Sequence, residues 1–135
     1  MIHQSVNSVT AMEITFWTHE DPNRTEIEDR YIAEFEQANP GVTIKRVTSG
    51  SGQIQELILT AFAANQGPDI FNMSIEDEYA YIANERLSPV DFEAAGYPSL
   101  QAVYDAYIPG VLDPATYKGQ LYGLPLELTL SLIHI

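Results

Sequence analysis

Cysteine is missing from all 135 residues. Its absence removes thiolate catalysis, cysteine-built zinc sites and disulfides. It also fits an exported bacterial protein. Basic residues are scarce, with 6 Lys and Arg against 19 Asp and Glu, for a net charge of −13. A surface of that sign repels phosphate backbones, which argues against nucleic acid as a partner. The acids are scattered along the chain and form no acidic tail, so most of them are expected to solvate helix faces. No apolar run approaches the roughly 18 residues of a membrane span. Residues 1–12 lack a basic region followed by an apolar run, so they are no signal peptide, and an export signal is expected to have been removed or to lie outside this sequence.

What is present describes a globular domain. Hydrophobic residues make up 45% and charged residues 19%, a balance that opposes disorder and coiled coil. The length suits about one domain with a real core. Residues 1–12 form a polar leader without periodicity. From Glu13 to Trp17, β-branched and aromatic residues alternate as in a strand. A helix is predicted over 25–38: Thr25 and Glu28 make a capping-box pair, and Ile27, Tyr31, Ile32 and Phe35 share a face directed at the core. Asn39-Pro40-Gly41 ends it. A second strand is predicted over 42–47, then a bend at Ser49-Gly50-Ser51-Gly52. The next helix spans 53–64, with Ile54, Leu57, Ile58, Ala61 and Phe62 inward.

Asp69 to Met73 is short and apolar, consistent with a buried third strand. Ser74 can cap a helix running to about Glu85. Leu100, Val103, Tyr104 and Tyr107 have helical spacing, and Lys118-Gly119 is placed at the turn of a hairpin. Strand and helix thus alternate three times, which specifies an α/β layer fold with a mainly parallel sheet flanked by helices. Ligands of such sheets bind at the carboxyl ends of the strands, here the loops after residues 17, 47 and 73.

Motifs for chemistry are thin. The Ser49–Gly52 bend lacks the Lys of a phosphate loop, although its N–H groups could cradle a polar ligand. His19, Glu20 and Asp21 lack a second cluster, so no metal is expected. Of the three histidines, His3 lies in the leader and His134 at the extreme end, which leaves no serine-histidine-acid pattern. No cofactor is expected. Sugar recognition finds better material, because it needs a flat aromatic surface beside carboxylates and amides. Trp17, with Asn72, Glu76 and Glu127 on other loops, supplies that set, unless Trp17 is simply core.

Ile14-Thr15-Phe16-Trp17-Thr18, followed by Phe35-Glu36-Gln37-Ala38-Asn39-Pro40-Gly41-Val42, resembles the opening of extracellular solute-binding proteins of family 1. This is the sugar-binding group of ABC importers that includes maltose-binding protein. Gly67-Pro68-Asp69-Ile70, Leu87-Ser88-Pro89-Val90 and the stretch from Tyr117 to Pro125 agree in order and spacing. The resemblance runs from Glu13 to Glu127. It implies a type II periplasmic-binding fold, of which residues 13–127 form part of the N-terminal lobe. It implies capture of a sugar or oligosaccharide by hinge closure, delivery to ABC transporter membrane subunits, a monomer, no catalysis, and a periplasmic or extracellular membrane-associated location. By position, Thr18, His19, Glu20, Ser49 and Gly50 border the cleft, as do Asn72, Met73, Ser74 and Glu127.

Family members usually have several hundred residues, and a strand is expected after Glu127. Residues 128–135 are therefore either that strand cut short or a foreign tail. A partial lobe is expected to expose apolar surface and to bind sugar weakly on its own. The alternatives are a carbohydrate-active enzyme or its sugar-binding module, marked by two carboxylates about 5–10 Å apart, and an α/β domain used for protein interaction.

Overall fold

A computed structural model describes residues 11–126. The leader residues 1–10, Glu127 and the tail 128–135 lie outside the described residues. These fall into two compact units, one ending at Asn72 and the other beginning at Met73.

The first unit is a three-stranded sheet with two helices. Strand β1 is Met12–His19, β2 is Val42–Ser49 and β3 is Ile70–Phe71. Their order is β2-β1-β3 and both pairings are parallel, as the strand-helix alternation requires. Strand β1 begins at Met12, within the stretch read as leader. Trp17 is in register with Val47 on one side and Phe71 on the other, so the three share a sheet face. Helix α2, Ser51–Ala63, packs on that face through an edge-to-face contact of Phe62 with Phe71, ring centroids 5.4 Å apart. Ile54 and Ile58 are its buried residues, whereas Leu57 is exposed.

Helix α1, Pro22–Ala38, departs from the amphipathic reading. It begins a turn earlier than Thr25: Asp21 is the N-cap, accepting from the Asn23 N–H at 2.9 Å, and Pro22 pre-sets the first turn. None of its residues is buried. The row that meets the sheet is polar. Glu28 binds Arg46 of β2 at 2.8 Å, and Glu36 Oε1 accepts the outward Ile44 N–H at 2.7 Å. That second bond occupies part of a strand edge that would otherwise invite another chain. Ile27, Tyr31 and Phe35, expected in the core, are 46%, 58% and 45% exposed. Periodicity correctly grouped these three on one face, but it carries no information about what lies opposite.

Strand β3 has only two residues, so its position needs a further constraint. Asp69 supplies it. Its carboxylate accepts from the Thr15 N–H at 2.8 Å and the Thr15 hydroxyl at 2.7 Å, while its own N–H donates to Thr15 Oγ1 at 3.0 Å. The side chain thereby continues the β1–β3 ladder one step before backbone pairing starts. Just upstream, a Cβ at Gly67 would overlap the Phe62 ring, so only glycine allows this approach.

The second unit is built around a hairpin. Helices α3, Ile75–Ala83, and α4, Leu100–Asp105, are followed by a 3-10 turn, Asp113–Ala115, and strands β4, Thr116–Tyr117, and β5, Gln120–Leu121. Lys118 and Gly119 have φ of 49° and 76°, the two left-handed residues of a tight hairpin turn at the expected place. Val103, Leu112, Ala115 and Leu121 form the buried core, with Leu100, Tyr104 and Tyr107 packed against it. Helix α4 therefore buries the stripe its spacing announced. The Val90 N–H donates to the Leu121 carbonyl at 2.7 Å, tying the Leu-Ser-Pro-Val segment to the hairpin.

Gly67→Ala is expected to destabilise the chain by about 1–3 kcal/mol, the usual cost of overpacking, measured by urea denaturation. Asp69→Ala tests the clip by its pH dependence. The Thr15 backbone N–H, and then its hydroxyl, hold the Asp69 carboxyl below its ordinary value. Its contribution is thus present above the ordinary aspartate value of about 3.9 and lost as pH falls through the lower folded value. The gap in unfolding midpoint between parent and Asp69→Ala should be open at pH 7 and close on acidification. A gap that is constant with pH would refute the clip.

Candidate functional site

The carboxyl ends of β1, β2 and β3 lie side by side because the strands are parallel, and the loops they feed meet there. The Asn72 N–H donates to the Trp17 carbonyl at 3.1 Å, and the Glu20 N–H donates to the Ser49 carbonyl at 2.7 Å. Trp17, Thr18, His19, Glu20, Ser49 and Asn72 are thereby brought together at one end of the sheet. Trp17 is half-buried on the α2 side. Thr18 has no exposed surface, which makes it a support beneath the loop. Ser49 Oγ donates to Gln53 Oε1 at 3.2 Å, and Gly50 is the N-cap of α2. An open groove of about 410 Å³, lined by Ser49, Gln53, Glu56, Leu57 and Thr60, runs from Ser49 along α2. Of the residues proposed from sequence it includes only Ser49.

His19 is the most engaged of the group. Its backbone N–H donates to Asn72 Oδ1 at 3.2 Å, and its ring Nδ1 lies 2.9 Å from Asn72 Nδ2. Arg24 Nη2 reaches the other ring nitrogen, Nε2, at 2.7 Å. Arg24 in turn lies 3.4 Å from Asp21 and 3.9 Å from Glu28. Arg24 was not foreseen from sequence. A helix starting at Thr25 leaves it in a loop, whereas one starting at Pro22 turns it back toward β1. The signal was the Asp-Pro pair, which is a cap followed by a favoured first residue. The neighbours of the ring are an amide and a guanidinium, with no serine and carboxylate on either side. The described neighbours of the ring do not make the serine-histidine-acid arrangement. Among the described residues no group of three or more His, Cys, Asp or Glu is placed to hold a metal ion, and no helix is long and apolar enough to cross a membrane.

Met73, Ser74 and Glu76 belong to the second unit. Met73 is half-buried, while Ser74 and Glu76 are exposed. Ser74 occupies the N-cap position of α3 without a side-chain capping bond. The acid that stands out in this helix is Glu78, which composition alone hid among 19 acids. It is 4% exposed, and its Oε1 is buried without a hydrogen-bond partner. A Cβ on Gly123 would come within 3.0 Å of that oxygen, so the glycine leaves room for the carboxyl. Burial pushes the Glu78 carboxyl above its ordinary value.

Residues 30–133 match the family described as Bacterial extracellular solute-binding protein. Among solved structures, an extracellular solute-binding protein family 1 from Alicyclobacillus acidocaldarius is 25% identical with a TM-score of 0.71, covering 86% of this chain and 28% of that one. The sugar-binding protein MalE from Xanthomonas citri is 27% identical with a TM-score of 0.70, covering 84% and 28%. An ABC substrate-binding protein from Listeria monocytogenes, in complex with cycloalternan, shares the fold at 21% identity, with a TM-score of 0.70 and coverage of 84% and 28%. The chain thus spans about 28% of the length of these neighbours. No curated protein matches it significantly in sequence.

Glu78→Gln keeps the shape of the side chain and removes its ionisation. A carboxyl raised on folding contributes stability below the ordinary glutamate value of about 4.3, and loses it as pH rises through the higher folded value. The Gln variant is therefore expected to match the parent near pH 4 and to exceed it at pH 7. Urea titrations at the two pH values measure the difference, and a Gln variant weaker than the parent at pH 7 would reveal an ionic partner for Glu78.

Proposed function

The chain belongs to the bacterial extracellular solute-binding protein family, and we propose that it is part of the N-terminal lobe of a protein that captures a sugar or oligosaccharide for import. Its α/β fold is that of type II periplasmic binding proteins. In the whole protein the strand ends of the first unit form one wall of a cleft. Closure of the second lobe about a hinge encloses the ligand, and the closed form is delivered to the membrane subunits of an ABC transporter. The carrier works as a monomer in the periplasm or at the outer surface of the membrane. It releases its ligand chemically unchanged.

The observation that carries this reading is the gathering of Trp17, His19, Glu20, Ser49 and Asn72 at one end of a parallel sheet. An indole supplies a flat apolar surface for the C–H face of a sugar ring, and the amide, imidazole and carboxylate supply partners for its hydroxyls. Met73, Ser74, Glu76 and Glu127 are proposed as further ligand contacts on the sequence alone. The sugar-binding nature of the Xanthomonas citri relative supports the ligand class.

Thermal-shift measurements of the whole protein against a panel of mono- and oligosaccharides test the proposal. Its cognate sugar should stabilise it by about 2.7 kcal/mol at 100 times Kd, and Trp17→Ala should weaken binding by about 0.5–1.5 kcal/mol if the indole stacks on the ligand. The 135-residue chain alone should bind the same sugar weakly or not at all, because one wall cannot enclose it. A panel without a single stabilising sugar, or full affinity in the isolated chain, would overturn this reading.

A further inference from the structure

Of the two helices in the first unit, α1 buries less. It runs for 17 residues and none of them is buried. A helix of that length is marginal in water, and in proteins it owes most of its stability to packing an apolar face. The side of α1 that meets the sheet is polar, held there by Arg24, Glu28 and Glu36. Its apolar residues stand elsewhere. Ile27, Tyr31 and Phe35 follow one another at intervals of four, so they form a single ridge, and each is about half exposed. Arg30 flanks the ridge, its guanidinium 5.2 Å from the centre of the Tyr31 ring. Helix α2 differs: Leu57 and Leu59 are exposed, but Ile54 and Ile58 of the same helix are buried and anchor it. The apolar residues of α1 provide no such anchor.

A second copy on this ridge would bring together two chains of net charge −13, which repel. A transporter subunit would meet the ridge only on docking and would leave α1 uncovered in the free carrier. The remainder of the same polypeptide has neither drawback. This chain spans about 28% of its solved neighbours, so most of a whole protein of that length lies beyond it. Given the reading that the chain is part of a larger lobe, we infer that the Ile27-Tyr31-Phe35 ridge is an internal packing surface, covered in the whole protein by an amphipathic helix from the remaining chain. A strand would not suit, because the backbone groups inside a helix are already paired and offer no edge. A ridge of residues four apart seats in the groove between the ridges of another helix, with the axes about 8–10 Å apart. The ridge thereby serves the stability of the carrier and touches neither ligand nor transporter.

Thiol labelling tests the inference, because the 135 residues contain no cysteine. Tyr31→Cys places a thiol on the ridge. Ala33→Cys places one on the opposite, exposed side of α1 as a control. In the 135-residue chain the two thiols should react with a maleimide at similar rates. In the whole protein, with any other cysteine replaced by serine, Tyr31→Cys should react on the order of tenfold more slowly, while Ala33→Cys keeps its rate. Phe35→Ser gives a second readout that needs no thiol: it should cost the whole protein more stability in urea than it costs the 135-residue chain. Equal labelling of Tyr31→Cys in the two proteins overturns the inference and leaves the ridge to solvent or to the transporter. Protection that grows with protein concentration overturns it in favour of a second copy. Neither readout involves a sugar. A whole protein that binds sugar yet labels freely in Tyr31→Cys defeats this inference alone, and one that is protected there yet binds no sugar defeats only the proposed ligand.

Discussion

The two-sided clip between Asp69 and Thr15 is the contact on which the rest of the first unit depends. Strand β3 is two residues long, too short to hold its register by backbone pairing alone. The Asp69 carboxylate stands in for a further strand residue by taking the Thr15 N–H, and its own N–H returns a bond to the Thr15 hydroxyl. Once Asp69 is seated, Phe71 falls beside Trp17 and Asn72 lands next to His19. A slip of one residue would turn Phe71 off the α2 face and carry the Asn72 amide away from the ring. Gly67 and Phe62 constrain the same segment from the other side, since the ring occupies the volume that any larger residue would need.

From Asn72 a continuous polar chain leads away from the strand ends. It passes through the His19 ring to Arg24, then by its looser contact with Glu28 to Arg46, and ends at Asp29. The chain explains why α1 turns a charged row toward β2. Arg24, Glu28, Ile32 and Glu36 lie four residues apart and so share a stripe, and three of the four carry polar contacts to β1 or β2. Ion pairs of this kind contribute little each when solvated. Here all but Asp29 are largely shielded, and the pairs serve orientation: Arg24 is held at His19, and Arg46 is held to the helix.

Much of this arrangement could be read from residue order. The alternation of strands and helices specified a parallel sheet, and parallel sheets put loops at the carboxyl ends, where Trp17, Thr18, His19, Glu20, Ser49 and Asn72 lie. The Lys118-Gly119 turn and the α4 stripe were equally legible, because each rests on a local rule about φ or spacing. Other features depend on facts outside any local window. Apolar spacing in α1 identifies Ile27, Tyr31 and Phe35 as one face, yet whether that face is covered depends on chain that is not adjacent. Thr25 and Glu28 mimic a capping box while Asp21 performs the capping. Glu78 is one acid among several in its helix until the hairpin brings Gly123 against it.

The charge pattern bears on how such a site can recognise anything. Arg24, Arg30 and Arg46 each lie against acids of α1 or its cap. The cations are thereby neutralised locally, and the field around the chain stays negative. A neutral ligand gains nothing from that field, and an anionic one is repelled by it. On the proposed reading, recognition at the strand ends rests on contacts that act only at bonding distance, namely the indole surface and correctly aimed N–H and O–H groups. Such contacts tolerate little misplacement. The aim of the Asn72 amide is set by His19, the place of Asn72 is set by the register of β3, and that register is set by Asp69. On the proposed reading, the exposed Thr15–Asp69 clip therefore bears on what the strand ends can bind by fixing where Asn72 stands.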